Sequence, residues 1–389
     1  MKRFFQSQTL TTGLAIFSMF FGAGNLIFPL RVGLLSGDLN LWGIGGFIIT
    51  GVVLPLLGLI AIILFNGDYR TFFNRIGTIP GSLLLLFCML IIGPFVGMPR
   101  IVTLSHIMVA PFLGNISLII FSVIFLLLTF LGTYKENKII NLLGNYISPA
   151  LLVSLIIIII KGLVYREPST IATETGPHLF VDSLIIGYQT LDLLGAIFFS
   201  SIVLTLLKKS MPNQNENSLH KLALLGLKSG AIGVSLLAII YVGMSYLGVY
   251  HGQGLGHLNE GELFSAVSFR ILGEYGAIII AIAVLMACYS TILALAVVVA
   301  EFLQKSIFLN KISYVQALIT ALVLTGIISN FGLATILKYS SPIIAIGYPV
   351  LIVLTFLNIA YKTFGFKAVK TPVAIAFVLS IAHYLRMFI

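Results

Sequence analysis

Apolar residues in this chain come in long blocks separated by short polar stretches, from one end to the other. About 20 consecutive apolar residues are needed to cross a bilayer as a helix. On that measure the pattern predicts eleven spans, at residues 10–35, 42–65, 81–109, 114–133, 139–163, 183–207, 221–250, 275–303, 314–331, 341–361 and 371–388. Between them lie stretches such as "NGDYRTFFNRIG", "TYKENK", "KKSMPNQNENSLHK" and "YKTFGFKAVK". The longer spans must tilt or break to fit the hydrocarbon core. Trp42 opens the second span, where an interfacial anchor belongs.

Composition agrees with the pattern. The 389 residues are 59% hydrophobic and 9% charged, whereas a soluble globular domain carries about 25% charged residues. So few charges cannot cover a water-facing surface, and the fold class expected is an all-α polytopic membrane protein. A formal net charge of +10 would suit nucleic acid in a soluble protein. Here it marks loops on the cytoplasmic side, and the partners expected are the lipid bilayer and a small solute, not nucleic acid. With the N-terminus cytoplasmic, most of the 22 Lys and Arg fall on that side, Lys2, Arg3, Arg70, Arg75, Lys208, Lys209, Lys305 and Lys367 among them. "MKRFFQSQTLTTGLAIF" has the flavour of a signal peptide, but its apolar run is too long for one, so an uncleaved first span is expected. Cys88 and Cys288 each lie inside an apolar block and imply neither a disulfide nor a metal site.

Ten of the eleven spans divide into two groups of five. Five is odd, so the second group must run inverted relative to the first, an arrangement common in secondary transporters. The repeats would cover 1–163 and 164–361, with 362–389 an extra C-terminal helix. A local echo is Tyr-x-Ser-Pro at the start of the fifth span (Tyr146 to Pro149) and of the tenth (Tyr339 to Pro342).

The first span contains "SMFFGAGNLIFPL". Gly22, Gly24, Asn25 and Pro29 weaken a helix about 12 residues in, roughly 18 Å along a ~30 Å core. Unwound backbone at that depth persists only where protein, ion or a wet cavity completes its hydrogen bonds. Glycine lets a ligand approach the backbone. The half-helix that follows points N–H groups at an anion such as a carboxylate, and the one before ends in carbonyls that suit a cation. The plainer alternative is close helix packing through small residues.

Inverted symmetry expects a matching break in the sixth span, "GYQTLDLLGAIFFSSIVL". Asp192 lies there with Gln189, Thr190 and Gly195 as neighbours. An ionised carboxylate at the bilayer centre costs about 2.5–3.5 kcal/mol on insertion scales. It could serve as partner of a substrate amine, as cation ligand or as proton carrier, or it could pair with Arg100 of the third span. In the eighth span, Ser290 and Thr291 supply neutral oxygens that suit a hard cation such as sodium, although such hydroxyls often bond back to their own helix. Glu301 is expected at the cytoplasmic interface near Lys305.

"FFGAGNLIFPL" resembles the opening of the bacterial branched-chain amino acid:cation symporter family, within the amino acid–polyamine–cation superfamily. "GPFVGMPRIVTLS", "GYQTLDLLGAIFF", "ACYSTILALAVVVAEF" and "ISNFGL" follow in order. The resemblance implies a five-plus-five inverted-repeat fold with broken helices 1 and 6 in the bacterial cytoplasmic membrane. It implies import of leucine, isoleucine and valine by cation symport, with sodium the first choice of coupling ion and no organic cofactor. Carried over by motif, the substrate would meet Gly22, Ala23, Gly24, Asn25, Gln189, Thr190, Asp192 and Gly195. A sodium site would use Ser18, Phe21, Ala287, Ser290 and Thr291. Two departures stand out: relatives continue the third-span motif to an acidic "SFE"-like ending where this chain has Ser105, His106 and Ile107, and they carry twelve spans.

Proton coupling, or a cargo such as methionine or another neutral amino acid, is the alternative within transporters. An intramembrane enzyme is the alternative of another class, but the chain has no His-Glu-x-x-His pair and no Gly-x-Ser-x-Gly elbow. A channel would need a filter-like repeat or a ring of charges.

Overall fold

The computed structural model describes residues 8–114, 116–134, 139–172, 174–209 and 218–386. Its helices, in chain order, are α1 (Gln8–Phe20), α2 (Gly24–Ser36), α3 (Asn40–Ile48), α4 (Leu54–Leu64), α5 (Tyr69–Asn74), α6 (Thr78–Leu90), α7 (Gly97–Val109) and α8 (Leu118–Thr133). Then come α9 (Ile139–Val164), α10 (Gly176–Tyr188), α11 (Asp192–Lys209), α12 (Ser218–His251), α13 (Glu260–Phe302), α14 (Tyr314–Ser329), α15 (Leu333–Phe364) and α16 (Lys370–Arg386).

Among the described residues, six helical runs are apolar and long enough to cross a membrane, the one over Gly176–Ser200 being broken between α10 and α11, and five shorter apolar helices accompany them. Read along the chain they make eleven segments. The first is α1 with α2, the second α3 with α4, the third α6 with α7 and the sixth α10 with α11; the other seven are single helices. The second and third segments are joined through π-turns at Ile49–Val53 and Ile91–Phe95, the latter bent at Gly93 and Pro94. The chain is therefore a multi-pass membrane protein, as composition required.

Packing groups the segments as a five-plus-five repeat demands. Segments 1, 2, 6 and 7 pack together: α12 against α1, α2 and α4, α10 against α3, and α11 against α4. Segments 3, 4, 8 and 9 form a second group through α7, α8, α13 and α14. Each group joins members of the first five to their counterparts in the second five. Segment α9 lies against α12 and α13, and α15 against α4, α7 and α16.

Three expectations need correcting. The stretch before the eighth span is a helix and not a loop: α13 starts at Glu260 and bends at Gly273, where φ is +70°. An Asn259–Glu262 capping box starts it, each side chain bonding the other residue's backbone N–H. The tenth segment begins at Leu333, so Pro342 lies inside α15 and not at its start. The first-turn proline of the Tyr-x-Ser-Pro echo is thus absent there. The side chains of its fifth-span half, Tyr146 to Pro149, lie outside the described residues. Finally, the sixth segment starts seven residues before the predicted position 183, at Gly176, where Pro177 suits a first turn.

Candidate functional site

Both expected breaks are present. The first is Phe21 to Ala23, between α1 and α2; the second is Gln189 to Leu191, between α10 and α11. Around the first, the Asn25 N–H donates to the Gly22 carbonyl at 3.2 Å and the Leu26 N–H to the Ala23 carbonyl at 3.3 Å. Among the described backbone bonds, the N–H groups of Gly22 and Ala23 go to no acceptor. Asn25's own amide is spent in the turn, so the peptide groups open to a ligand are those before it. Pro29, which weighed towards a break in the sequence, lies within α2; it has no N–H to give the Asn25 carbonyl four residues back.

The second break is a tight turn. The N–H groups of Gln189, Thr190 and Leu191 each donate to the carbonyl three residues back, and Leu191 takes φ of +61°. A leucine in that region is uncommon.

The two breaks meet. A Cβ built on Gly24 would lie 3.2 Å from the Thr190 Cα and 3.3 Å from its carbonyl oxygen. One built on Gly22 would meet only Thr291 Cγ2 at 3.8 Å and Asn25 Oδ1 at 3.9 Å. Gly24 thus allows one break to touch the other, and Gly22 keeps the space beside Asn25 and Thr291 open.

Between the breaks is a narrow cavity of ≈ 70 Å³, partly open to the outside. Gly22, Ala23, Gly24, Asn25, Gln189, Thr190, Asp192 and Gly195 all line it, together with Arg100, Thr291 and apolar side chains including Ile92, Ile101, Phe199 and Leu295. Every residue expected at the substrate site therefore faces one space, which lies between the two packed groups of segments.

Two buried polar clusters flank this cavity. In one, Asp192 is 4% exposed. Tyr241, from the middle of α12, donates its hydroxyl to Asp192 Oδ2 at 2.6 Å. The Asn25 side-chain amide reaches both Asp192 oxygens at 3.0 Å, the Tyr241 hydroxyl at 2.5 Å and the Phe20 carbonyl at 3.0 Å. Its hydrogens are shared among these acceptors, which ties the end of α1 to the start of α11. Asn25 Oδ1 is buried without a donor.

The other cluster centres on Arg100. Its guanidinium donates to the Gln189 carbonyl at 2.9 Å, to Gln189 Oε1 at 2.8 Å and to Ser340 Oγ at 2.6 Å. It sits 5.7 Å from the centre of the Phe28 ring. The ion pair with Asp192 that the sequence allowed is not formed: Arg100 holds the near side of the second break and Asp192 the far side. Neutral oxygens accept from the terminal nitrogens of the one, and amide and phenol hydrogens go to the oxygens of the other.

Among the five residues expected to hold a cation, Thr291 lines the cavity, and Ser18, Phe21, Ala287 and Ser290 do not. Thr291 donates its hydroxyl hydrogen to the Ala287 carbonyl at 3.0 Å, the back-bond that such residues often make. Ser18, Ala287 and Ser290 are half-buried and Phe21 is buried. His106 bonds the Ile116 carbonyl at 2.7 Å beyond the end of the third segment, away from the cavity. Glu301 pairs with Lys305 at 2.7 Å, as expected. Cys88 and Cys288 are buried and free.

Two residues of these clusters escaped sequence reasoning. Tyr241 lies among apolar neighbours with no local motif, and Ser340 is the unspecified position of the Tyr-x-Ser-Pro echo, to which no role was given. The available signal was depth, since Tyr241 falls in the middle of a predicted span, where a phenol needs a partner.

The model of the branched-chain amino acid transport protein family matches residues 5–388. The branched-chain amino acid permease BrnQ of Bacillus subtilis (strain 168) is 33% identical over 398 residues, covering 99% of this chain and 89% of the permease. Among solved structures, the inward-facing conformation of Mhp1 superposes with a TM-score of 0.65 at 16% identity, covering 91% of this chain and 77% of Mhp1. The substrate-bound, outward-open state of a Na+-coupled sialic acid symporter gives 0.54 at 16% identity, covering 97% and 90%. These structural likenesses establish the fold: five-plus-five inverted repeats with helices 1 and 6 broken. With a sequence match that runs nearly end to end, the chain belongs to the branched-chain amino acid transport protein family.

Proposed function

We propose that this protein is a secondary active transporter that imports leucine, isoleucine and valine together with a cation, sodium in the first place, by alternating access. The observation that carries this reading is the single cavity bounded by two helix breaks, with a buried cation on one wall and a buried carboxylate on another. Such a site suits a zwitterion with an apolar side chain. Free N–H groups at the first break and the carboxylate of Asp192 offer partners for its two charges, and Ile92, Ile101, Phe199 and Leu295 offer an apolar wall. The permease from Bacillus subtilis, named for branched-chain amino acids, supports the cargo. The sialic acid symporter, named as Na+-coupled, makes sodium a reasonable first choice of ion.

In this reading Ser18, Phe21, Ala287, Ser290 and Thr291 form the sodium site. Thr291 spends its hydrogen on Ala287 and keeps oxygen lone pairs for a cation. The repeats are 1–163 and 164–361, residues 362–389 add a helix outside them, and the N-terminus faces the cytoplasm of a bacterial inner membrane. A second reading, proton coupling, rests on Asp192 being the one carboxylate among the residues that line the cavity.

The test is uptake of radiolabelled leucine into proteoliposomes under an imposed sodium gradient or an imposed pH gradient, with a panel of amino acids as competitors. Sodium-driven uptake, inhibited by isoleucine and valine, supports the first reading. Uptake that ignores sodium and follows pH moves the coupling role to Asp192. No uptake of any branched-chain amino acid would overturn the cargo.

A further inference from the structure

We infer that Arg100 binds the carboxylate of the transported amino acid, so that the cavity reads its cargo with a cation at one pole and Asp192 at the other. The inference rests on the amino acid transport reading and adds a residue to it.

Arg100 is 5% exposed, inside a membrane-spanning segment, and lines the cavity. Its three hydrogen bonds all go to neutral oxygens of Gln189 and Ser340. None of the ion pairs among the described residues involves it, and its Nε–H is buried with no acceptor. A guanidinium keeps its charge in proteins, and a buried charge is stable only when paired and hydrogen-bonded. Here the protein supplies hydrogen bonds but no contact ion pair: Glu260, the acid that acts on Arg100 from a distance, is itself paired with Arg31 at 3.3 Å. Asp192 is the obvious candidate, yet Asn25 and Tyr241 occupy its oxygens. An anion entering the cavity completes Arg100.

Position agrees with charge. The Phe28 ring lies 5.7 Å from the guanidinium, and its edge would be 3.4 Å from a Cβ on Gly24. Arg100 therefore lies on the Gly24 side of the first break, and Asn25 Oδ1 and Thr291 lie on the Gly22 side. A carboxylate at the first break has guanidinium hydrogens on one side and the free Gly22 and Ala23 N–H groups with the start of α2 on the other, and all favour negative charge. Gln189 sits between the poles. Its backbone and side chain both hold Arg100, and three residues on the same turn ends in Asp192. Loss of the anion would leave Arg100 held to the second break by neutral oxygens alone, so the cation stays aimed when the cavity is empty.

The experiment compares analogues that differ only at the charged ends. Binding of leucine, leucinamide, 3-methylbutylamine and 4-methylpentanoate is measured on the purified protein and on Arg100→Gln and Arg100→Lys, with thermal unfolding recorded for each. The unmodified protein should prefer leucine to leucinamide by about 100-fold or more, because a site built around a buried charge rejects an analogue that leaves it unpaired. In Arg100→Gln, leucine should weaken by about 100-fold while leucinamide and 3-methylbutylamine change by less than about 3-fold, so that the preference collapses. Arg100→Lys keeps the charge and loses the planar fork; it should hold part of the preference, and it carries the test if the glutamine variant does not fold. Equal losses for leucine and leucinamide in either variant would overturn the assignment and leave Arg100 a structural support for Gln189. An unchanged preference would overturn it too, leaving the carboxylate to the Gly22 and Ala23 amides alone. Leucine uptake that requires chloride, seen on replacing chloride with gluconate, would also overturn it by showing that Arg100 holds an inorganic anion. If the unmodified protein carries some other amino acid instead of leucine, the cargo reading fails by itself, and the same acid-against-amide comparison is made on the amino acid that it does carry.

Discussion

The two helix breaks do one job by different means. The first is made by glycines: with Gly22 and Gly24 in place no side chain fills the gap, and the Gly22 and Ala23 N–H groups, on residues that line the cavity, keep no backbone acceptor. The second contains no glycine between Gln189 and Leu191. It is held open by what surrounds it: Arg100 on the Gln189 carbonyl, Thr190 Oγ1 accepting from the Asp192 N–H at 3.4 Å, and Asn25 and Tyr241 on the Asp192 carboxylate. One break is permitted by its own residues; the other is imposed by tertiary contacts at a cost in backbone strain at Leu191. The expected corollary is that substitutions at the first break change access, and substitutions around the second change how the site is held.

Asp192 is where the difference should be largest. Asp192→Asn preserves size and removes the charge that Tyr241 and Asn25 face. A hydrogen bond to a charged group contributes about 1.5–3 kcal/mol, so leucine uptake should fall on the order of 100-fold while the protein still inserts and migrates as a single species. Near-normal transport by Asp192→Asn would make the carboxylate a clasp between α2, α11 and α12 without a part in coupling or in binding the amine.

The glycines of the first break should separate. Gly22→Ala places a methyl at ordinary contact distance from Thr291 and Asn25. It should weaken leucine binding by about 10-fold with little change in thermal stability, since the loss is of open space. Gly24→Ala crowds the Thr190 backbone, which cannot swing aside as a side chain tip would. It should lower stability by about 1–3 kcal/mol and disturb both breaks together. Calorimetry and leucine binding on the two variants would show the reverse order if Gly24 is the ligand's approach and Gly22 the packing contact.

How much of this could be read from the sequence follows the same division. The first break was legible because glycine carries its conformational meaning alone. Asp192 was legible because a carboxylate at that depth has a cost that calls for a reason. The mode of holding was not. Tyr241 acts through partners 49 and 216 residues away and Ser340 through one 240 residues away, and such pairings leave no local pattern. Arg100 was visible as a deep charge, yet its obvious partner proved wrong, because Gln189 offers it two oxygens at once. The eleven segments followed from hydropathy. The first turns of α13 did not, because Glu260 and Glu262 made them look like a loop, although the Asn259–Glu262 capping pair was there to be recognised. The start of α15 was missed because Tyr339 to Pro342 reads as a boundary, and a helix within a packed membrane protein tolerates an internal proline.

The proposed cation site, with Ser18 and Phe21 beside the first break, should show a smaller effect. Ser290→Ala combined with Thr291→Ala removes two neutral oxygens and leaves the Ala287 carbonyl without the Thr291 hydrogen. The sodium concentration for half-maximal uptake should rise by about 5–10-fold, with leucine affinity at saturating sodium nearly unchanged. A loss confined to leucine affinity would place these hydroxyls in the substrate pocket, which Thr291 already lines.

The smallest expected effect is the most direct measure of how the second break is imposed. Leu191 is buried, at 7% exposed, with φ of +61°. That backbone costs a side-chain-bearing residue roughly 1–2 kcal/mol, and glycine little. Removing the leucine side chain costs more, about 2–5 kcal/mol in a closed core, and towards the lower end here because Leu191 borders open space. Both Leu191→Ala and Leu191→Gly should therefore be less stable than the unmodified protein, and transport should fall by less than about 3-fold, since no polar group of the site is lost. The informative quantity is the difference between the two variants, in which the lost side chain largely cancels. If surrounding contacts force the break on the chain, the glycine variant should be more stable than the alanine variant by about 1 kcal/mol, the reverse of the order in an ordinary helix, where alanine is favoured by a similar amount. Thermal or denaturant unfolding of the two purified proteins in one detergent reads this sign. An alanine variant as stable as the glycine variant, or more so, would mean that Leu191 bears no strain and that the second break, like the first, is permitted by its own residues.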